Sequence, residues 1–211
     1  MRVVAPSEVD LAMQAVEAGN LVVIPTSRWY MICCDAGNVD ACARIFAAKQ
    51  RPIEKSMVLV ARSMDAVRQR FRLSTDAERL ADSFWPGELA LLLPWREPAD
   101  ETRYHMVGSP EALVTYASGV LGDLAARASC LVAATTANLS LPNAPGPSIN
   151  LAEVREFVAK SGADVSVVID GGVCPTANHL TIVRCADDRT ELVREGAVHI
   201  RAIMATLPTV E

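Results

Sequence analysis

Lys49 and Arg51 stand two residues apart at the end of a helical pattern. Together they offer a point charge and a bidentate fork of donors, which suits neighbouring phosphate groups. The same pair also fits a solvated basic patch after a helix, so its spacing needs companions. Thr136 and Asn138 follow a buried apolar run, where a hydroxyl and a carboxamide either reach phosphate or ribose oxygens or close a local turn. Thr26 and Tyr30 flank a turn after another such run, where they either border a ligand pocket or leave the tyrosine half-buried against a sheet. Trp85-Pro86-Gly87 reads as a packing anchor, a bulky ring before a tight turn.

Metal chemistry finds no such support. The six cysteines, at positions 33, 34, 42, 130, 174 and 185, include no Cys-x-x-Cys pair, and the histidines at 105, 179 and 199 add no ligand spacing. Buried free thiols and no protein-held metal are expected.

The elements that must carry these residues alternate. Ser7 caps a helix read over 8–16 and stopped by Gly19, and Leu21-Val22-Val23-Ile24 is a β-branched run ended by Pro25, as in a strand covered on both faces. Helix is expected over 38–49, strand over 57–60, helices over 63–71 and 74–83, and strand over 89–93. The Ala-rich stretch 109–128 reads as one or two helices, and 130–135 as a buried strand. Three prolines make 141–147 a surface loop, Asn150 with Glu153 opens a helix to about 160, and strands follow at 165–169, 180–184 and 190–194. This order predicts an α/β domain on a twisted mixed sheet flanked by helices.

With 211 residues, 51% hydrophobic and 21% charged, the chain holds enough apolar material for a sizeable core, which excludes a disordered protein. Its net charge of -5 excludes attraction to polyanions over the whole surface, so any anion site is local. Glu8 interrupts the N-terminus before an apolar segment develops, and no run approaches the ~18 apolar residues of a membrane span. A soluble cytoplasmic protein with a single domain over 1–211 is expected.

The motifs, taken in order, resemble those of the YrdC-like family, that of the threonylcarbamoyl-AMP synthases. Its pattern runs Pro-Thr-Asp-Thr-x-Tyr-Gly, Lys-x-Arg-Pro, Trp-Pro-Gly, Ser-x-Asn, a Gly-Gly turn and Ser-Thr-Val-Val. Pro25, Thr26 and Tyr30 match the first, Lys49, Arg51 and Pro52 the second, Trp85 to Gly87 the third, and Asn138 the fourth, with Thr136 keeping the hydroxyl of its Ser. The resemblance implies a single YrdC-like domain with an open concave cleft. It also implies synthesis of an N-carbamoylated amino-acid adenylate from ATP, bicarbonate and L-threonine, with Mg2+ on the nucleotide, release of pyrophosphate and use of the product in tRNA modification. On this basis Lys49 and Arg51 are the expected catalytic pair, and these two with Thr136, Asn138 and Thr181 the nucleotide-binding set. Thr26, Arg28 and Tyr30 are the expected substrate-binding set.

Several positions depart from that pattern. Ser27, Arg28, Trp29 and Met31 replace Asp, Thr, a small aliphatic residue and Gly; Met106-Val107-Gly108 stands where the family has Arg-Val-Pro; Leu180, Arg184 and Leu141 replace Ser, Asp and Gly. Arg28 therefore brings a cation where a neutral hydroxyl is expected, and the amine substrate need not be threonine. The alternative is a catalytically altered module that binds a nucleotide or RNA, or one that handles a carbamoyl adenylate as in larger carbamoyltransferases.

Overall fold

Leu21 to Ile24 are fully buried, and their side chains alternate between two apolar clusters: Leu21 and Val23 enter one, Val22 and Ile24 the other. A strand with both faces covered needs apolar residues at every position, which is why its run is continuous. The computed structural model describes residues 1–97, 104, 106–175, 178–186 and 189–207. Among the described residues ten strands form one sheet: β1 (Arg2–Val4), β2 (Leu21–Pro25), β3 (Tyr30–Asp35), β4 (Val58–Val60), β5 (Leu89–Pro94), β6 (Glu111–Thr115), β7 (Val132–Thr136), β8 (Val165–Ile169), β9 (Thr181–Ala186) and β10 (Arg189–Arg194). Their order is β1-β8-β2-β3-β7-β4-β6-β5-β9-β10, with parallel and antiparallel pairs mixed. Helices α1 (Val9–Glu17) and α5 (Gly119–Arg127) cover one face. The other is covered by α2 (Val39–Lys49), α3 (Met64–Arg70), α4 (Thr75–Phe84), α6 (Leu151–Ser161) and α7 (Ile200–Thr206).

The expected mixed α/β architecture is therefore found, with one correction in its middle. Residues 111–115, read as helical, form β6, which pairs with both β4 and β5. Alanine content favoured helix, but Ala112 and Val114 alternate into the core and two strand partners satisfy the backbone, so tertiary pairing overrides propensity. β1 and β3 were not expected either. β3 lies directly behind the Thr26–Tyr30 turn, and β1 is a three-residue strand ordered by its parallel pairing with β8.

Two local features aim the chemistry-bearing residues. Antiparallel pairing of β3 with β7 sets Met31 opposite Thr136, so the first turn and the end of β7 meet at the same end of the sheet. At the end of α2, Gln50 adopts the left-handed conformation (φ 50°, ψ 45°), and the Arg51 N–H bonds back to Phe46 O at 3.0 Å. A non-glycine residue there costs about 1 kcal/mol. The reversal it makes sends Lys49 inward and leads the chain out along the cleft at Arg51.

Candidate functional site

Lys49 is completely buried, and its Nζ donates to the backbone oxygens of Thr136 and Asn138 and, at 3.1 Å, to Asn138 Oδ1. The Thr136 hydroxyl donates to the same Oδ1 at 2.6 Å, and the Ser140 N–H donates to Lys49 O at 2.8 Å. Residues 49 and 138, far apart in sequence, are thus one hydrogen-bonded unit. Burial, and secondarily the nearby Arg51 charge, push the Lys49 ammonium down to about 7. Lys49 does not stand on the wall of the neighbouring cavity, whereas Arg51, Thr136 and Asn138 do. In the structure Lys49 acts on the cavity through Thr136 and Asn138. Its three donors are spent fixing the end of β7.

Arg51 packs its guanidinium 6.0 Å from the centre of the Phe46 ring, and donates from Nε to Lys55 O (2.6 Å) and from Nη2 to Ser56 O (2.8 Å). It lines a cavity of about 580 Å³ together with Lys55, Arg28, Arg194 and His179, the neutral polar residues Thr135, Thr136, Asn138 and Ser140, and an apolar remainder that includes Trp29 and Leu180. Among the described residues no carboxylate belongs to this lining. In a chain of net charge -5, the cavity is a local concentration of cations, as the sequence required of any anion site.

The first turn is held from within. Thr26 Oγ1 donates to Trp29 O (2.7 Å) and accepts from the N–H groups of Arg28 (3.2 Å) and Trp29 (3.3 Å). Its hydroxyl therefore shapes the turn, and the space it borders is a recess of about 20 Å³, room for little more than a water, that shares Arg28, Met31, Val58 and Leu180 with the large cavity. Tyr30 is fully buried, donates to Gly172 O (2.8 Å) and accepts from the Gly171 N–H (3.1 Å). Burial pushes its phenol up to about 12. Of the expected pair, Thr26 borders that recess, while Tyr30 clasps the Asp170–Gly172 turn and does not line the larger cavity. Arg28 does line it, at 6% exposure, with one end of its guanidinium ion-paired to Glu88, whose other oxygen accepts from the Ser27 hydroxyl at 2.5 Å. Burial, then Arg194, bring Arg28 down to about 10.

Thr181, expected in the nucleotide-binding set, is engaged within the fold. It is fully buried, its Oγ1 donates to Val198 O (2.6 Å) and it accepts from the Gly196 (2.9 Å) and Val198 (3.0 Å) N–H groups. A Cβ on Gly196 would sit 2.1 Å from His179 O, so the two backbones touch there and fix the segment that presents His179. Thr181→Val leaves three buried backbone groups without their partner, and the expected loss is about 2–4 kcal/mol in urea unfolding with no direct loss of a ligand contact.

Sequence reasoning missed Lys55, His179 and Arg194, which come from loops and a strand end with no motif spacing between them. It also missed that the proline-rich loop, with Trp29 and Phe157, walls a second, mostly apolar cavity of about 460 Å³ sharing Trp29, Asn138 and Leu139 with the first. Met106 to Gly108 bring no cation to either cavity, while His105 lies outside the described residues. All six thiols are free, with Cys130 partly exposed and the others buried. Among the described residues no group of His, Cys, Asp and Glu could hold a metal ion, and no helix is long and apolar enough to cross a membrane.

Comparison with known proteins places this arrangement. The chain is 26% identical over 202 residues to the threonylcarbamoyl-AMP synthase of Bacillus subtilis, covering 95% of this chain and 56% of that protein. The corresponding match to the Pyrococcus abyssi synthase is 26% over 199 residues, covering 93% and 56%. The chain thus spans little more than half the length of these relatives. Its fold superposes on P. abyssi Sua5 solved with L-threonine (TM-score 0.84, 24% identity, 98% of this chain and 60% of that one). It also superposes on Escherichia coli YciO (0.79, 19%, 96% and 97%). The profile of the Sua5/YciO/YrdC family, described as telomere recombination, matches residues 14–196, and the chain belongs to that family.

Proposed function

We propose that this protein, a single domain over residues 1–211, joins ATP, bicarbonate and L-threonine or a different amine into a carbamoyl adenylate, an N-carbamoylated amine whose carbamoyl group carries AMP, and releases pyrophosphate. The observation that carries the reading is the cavity of about 580 Å³ built from the Arg28, Arg51 and Thr136–Asn138 stretches with cations and, among the described residues, no carboxylate. The amine nitrogen attacks the carbon of bicarbonate, whose hydroxide leaves as water with the amine proton. A carbamate oxygen then attacks the α-phosphorus, and pyrophosphate departs. Arg51 and Lys55 counter phosphate charge, Asn138 and Thr136 orient the nucleotide, and Lys49 holds both in place, so catalysis is mainly positioning and electrostatic stabilisation. Mg2+ would arrive on the nucleotide; among the described residues the lining offers it no carboxylate ligand. A cytoplasmic location and use of the adenylate in tRNA modification belong to the same reading.

The test is pyrophosphate release from ATP and bicarbonate across a panel of amino acids, with titration calorimetry of ATP binding. Release is expected with at least one amino acid. Arg51→Ala is expected to weaken ATP binding about 10- to 150-fold, the loss of a charged hydrogen bond worth about 1.5–3 kcal/mol. ATP binding without release across the panel returns the chain to a binding module, and unchanged affinity in Arg51→Ala removes the cavity from the nucleotide site.

A further inference from the structure

The second cavity, of about 460 Å³, has no part in the reaction as described so far. It lies between the proline-rich loop and α6, and its apolar walls are Trp29, Leu139, Pro145, Pro147, Ile149 and Phe157. These walls are tied into the fold. Ser148 O accepts from the Tyr30 N–H (2.8 Å), the Ser148 N–H donates to Ala137 O (3.1 Å) and Ile149 O accepts from the Cys174 N–H (2.7 Å), so the end of the loop is bonded to three other segments. Phe157, buried on α6, has its ring centre 5.9 Å from Lys49 Nζ and so packs against the unit that aligns Asn138.

Every polar side chain on this lining is engaged within the fold. Glu153 accepts from the Ile149 N–H (2.9 Å) and from Asn150 Nδ2 (2.8 Å), Lys160 pairs with Glu156 (2.5 Å), and the Ser148 hydroxyl donates to Ala137 O (2.7 Å). The Asn138 carboxamide donates to Leu139 O (3.0 Å) and accepts from Lys49 and Thr136. An occupant therefore gains by burying apolar surface rather than by meeting a free charge. Two carboxylates against one ammonium also make the lining unsuited to phosphate. The neighbouring spaces differ in character. The large cavity holds the cations, and the recess beside Thr26, at about 20 Å³, has no room for a side chain. Trp29, Asn138 and Leu139 line both the large cavity and the apolar one, so one molecule can keep its reacting end among the cations and its apolar end against α6.

We propose that the cavity between the proline-rich loop and α6 receives the apolar substituent of the amine, which makes a primary amine with an aromatic or branched aliphatic group the preferred partner of ATP and bicarbonate. This rests on the function proposed above and names its second substrate. The substituent lies between Trp29 and Phe157, and the nitrogen lies at the Asn138 border, next to the cavity in which bicarbonate and the α-phosphorus must meet it. Each additional CH2 buried there is worth about fourfold in affinity, whereas the small, hydroxylated side chain of threonine leaves most of the space unfilled.

The experiment is calorimetric titration of the full chain, in the presence of a non-hydrolysable ATP analogue, with 2-phenylethylamine, L-phenylalanine and L-threonine, alongside pyrophosphate release with the same three. At least one of the two aromatic compounds is expected to bind about tenfold or more tightly than threonine. Gly146 lines the cavity, and a Cβ there meets open space, so Gly146→Phe fills the cavity without a backbone clash. That variant is expected to abolish the preference and to leave affinity for the ATP analogue unchanged. Ile149→Ala, which trims the wall, is expected to weaken aromatic binding about threefold or more, and it decides should Gly146→Phe fail to fold by circular dichroism. Equal or tighter binding of threonine, no binding of either aromatic compound, or a preference untouched in the variants overturns the subsite. Preference for an aromatic compound with no pyrophosphate from any substrate upholds the subsite and overturns the reaction, and threonine-driven release without that preference does the reverse.

Discussion

Lys49→Met is expected to lower affinity for ATP by at least about tenfold and to flatten the rise of stability with pH just above neutrality. The first effect follows from geometry. The ammonium ties together two backbone oxygens and the carboxamide oxygen at the end of β7, and a thioether of similar length fills the space but donates to none of them. Asn138 and Thr136, which line the cavity, then lose the group that aligns them, and two or more buried acceptors lose a partner at about 1–3 kcal/mol each. The second effect follows from linkage. The ammonium titrates at about 7 in the folded chain against an ordinary 10.5, because burial and then Arg51 disfavour its charge. Between those values the unfolded chain binds more protons than the folded one, so unfolding free energy rises with pH, by up to about 1.4 kcal/mol per unit, and levels off above them. Buried Cys33, Cys34 and Cys185 are pushed upward, which makes stability fall once unfolded thiols ionise, so the window specific to Lys49 is roughly pH 7 to 8.5. Urea midpoints across that window provide the measurement. A slope that survives in Lys49→Met assigns it to another group, and unchanged ATP affinity removes Lys49 as the support of the site.

What could be read in the sequence, and what could not, divides along physical lines. Apolar runs such as 21–24 and, interrupted only by the partly buried Ser166, 165–169 announced strands because a doubly covered strand leaves little room for polar positions. Asn150 announced a helix start, and its side chain accepts a hydrogen bond from the backbone N–H three residues on, as those of Asn38, Ser63 and Ser74 also do; Ser7, read as a cap, lies instead inside the 3-10 turn Pro6–Glu8, and α1 starts without a side-chain cap. β6 was hidden because alanine-rich strand and helix look alike until a partner strand is present. At the site, the association of Lys49 with Asn138 was legible through the order of motifs. Which side chain faces ligand and which faces core was not. Tyr30 and Thr181 carry hydroxyls that would suit a substrate, but a neighbouring turn captures each, and turn geometry between residues more than a hundred positions apart, as for Tyr30 and Gly171, leaves no local signature. His179 and Arg194 were invisible for the same reason.

The Arg28–Glu88 pair carries the other large expectation: Arg28→Met is expected to destabilise the fold by about 2–4 kcal/mol, and Glu88→Leu by a similar amount, whereas the double variant loses less than the two together by at least about 1 kcal/mol. Breaking a buried pair costs more than the pair is worth, because the surviving partner stays desolvated and uncompensated, typically by about 3–5 kcal/mol. The expectation is set below that range because the Glu88 side chain is 33% exposed and recovers some hydration, while that of Arg28 is only 8% exposed. Glu88 also keeps one bond, from Ser27, so its own loss is tempered, whereas Arg28 left without Glu88 faces Arg194 with no counter-charge and an unpartnered Nε. Replacing both charges with apolar groups removes the desolvation cost along with the attraction. Guanidinium-chloride screening would blur the comparison, so urea unfolding of the four chains is the appropriate cycle. Additive losses would mean that the two side chains do not sense each other, and the turn that brings Arg28 to the cavity would then owe its shape to Thr26 alone.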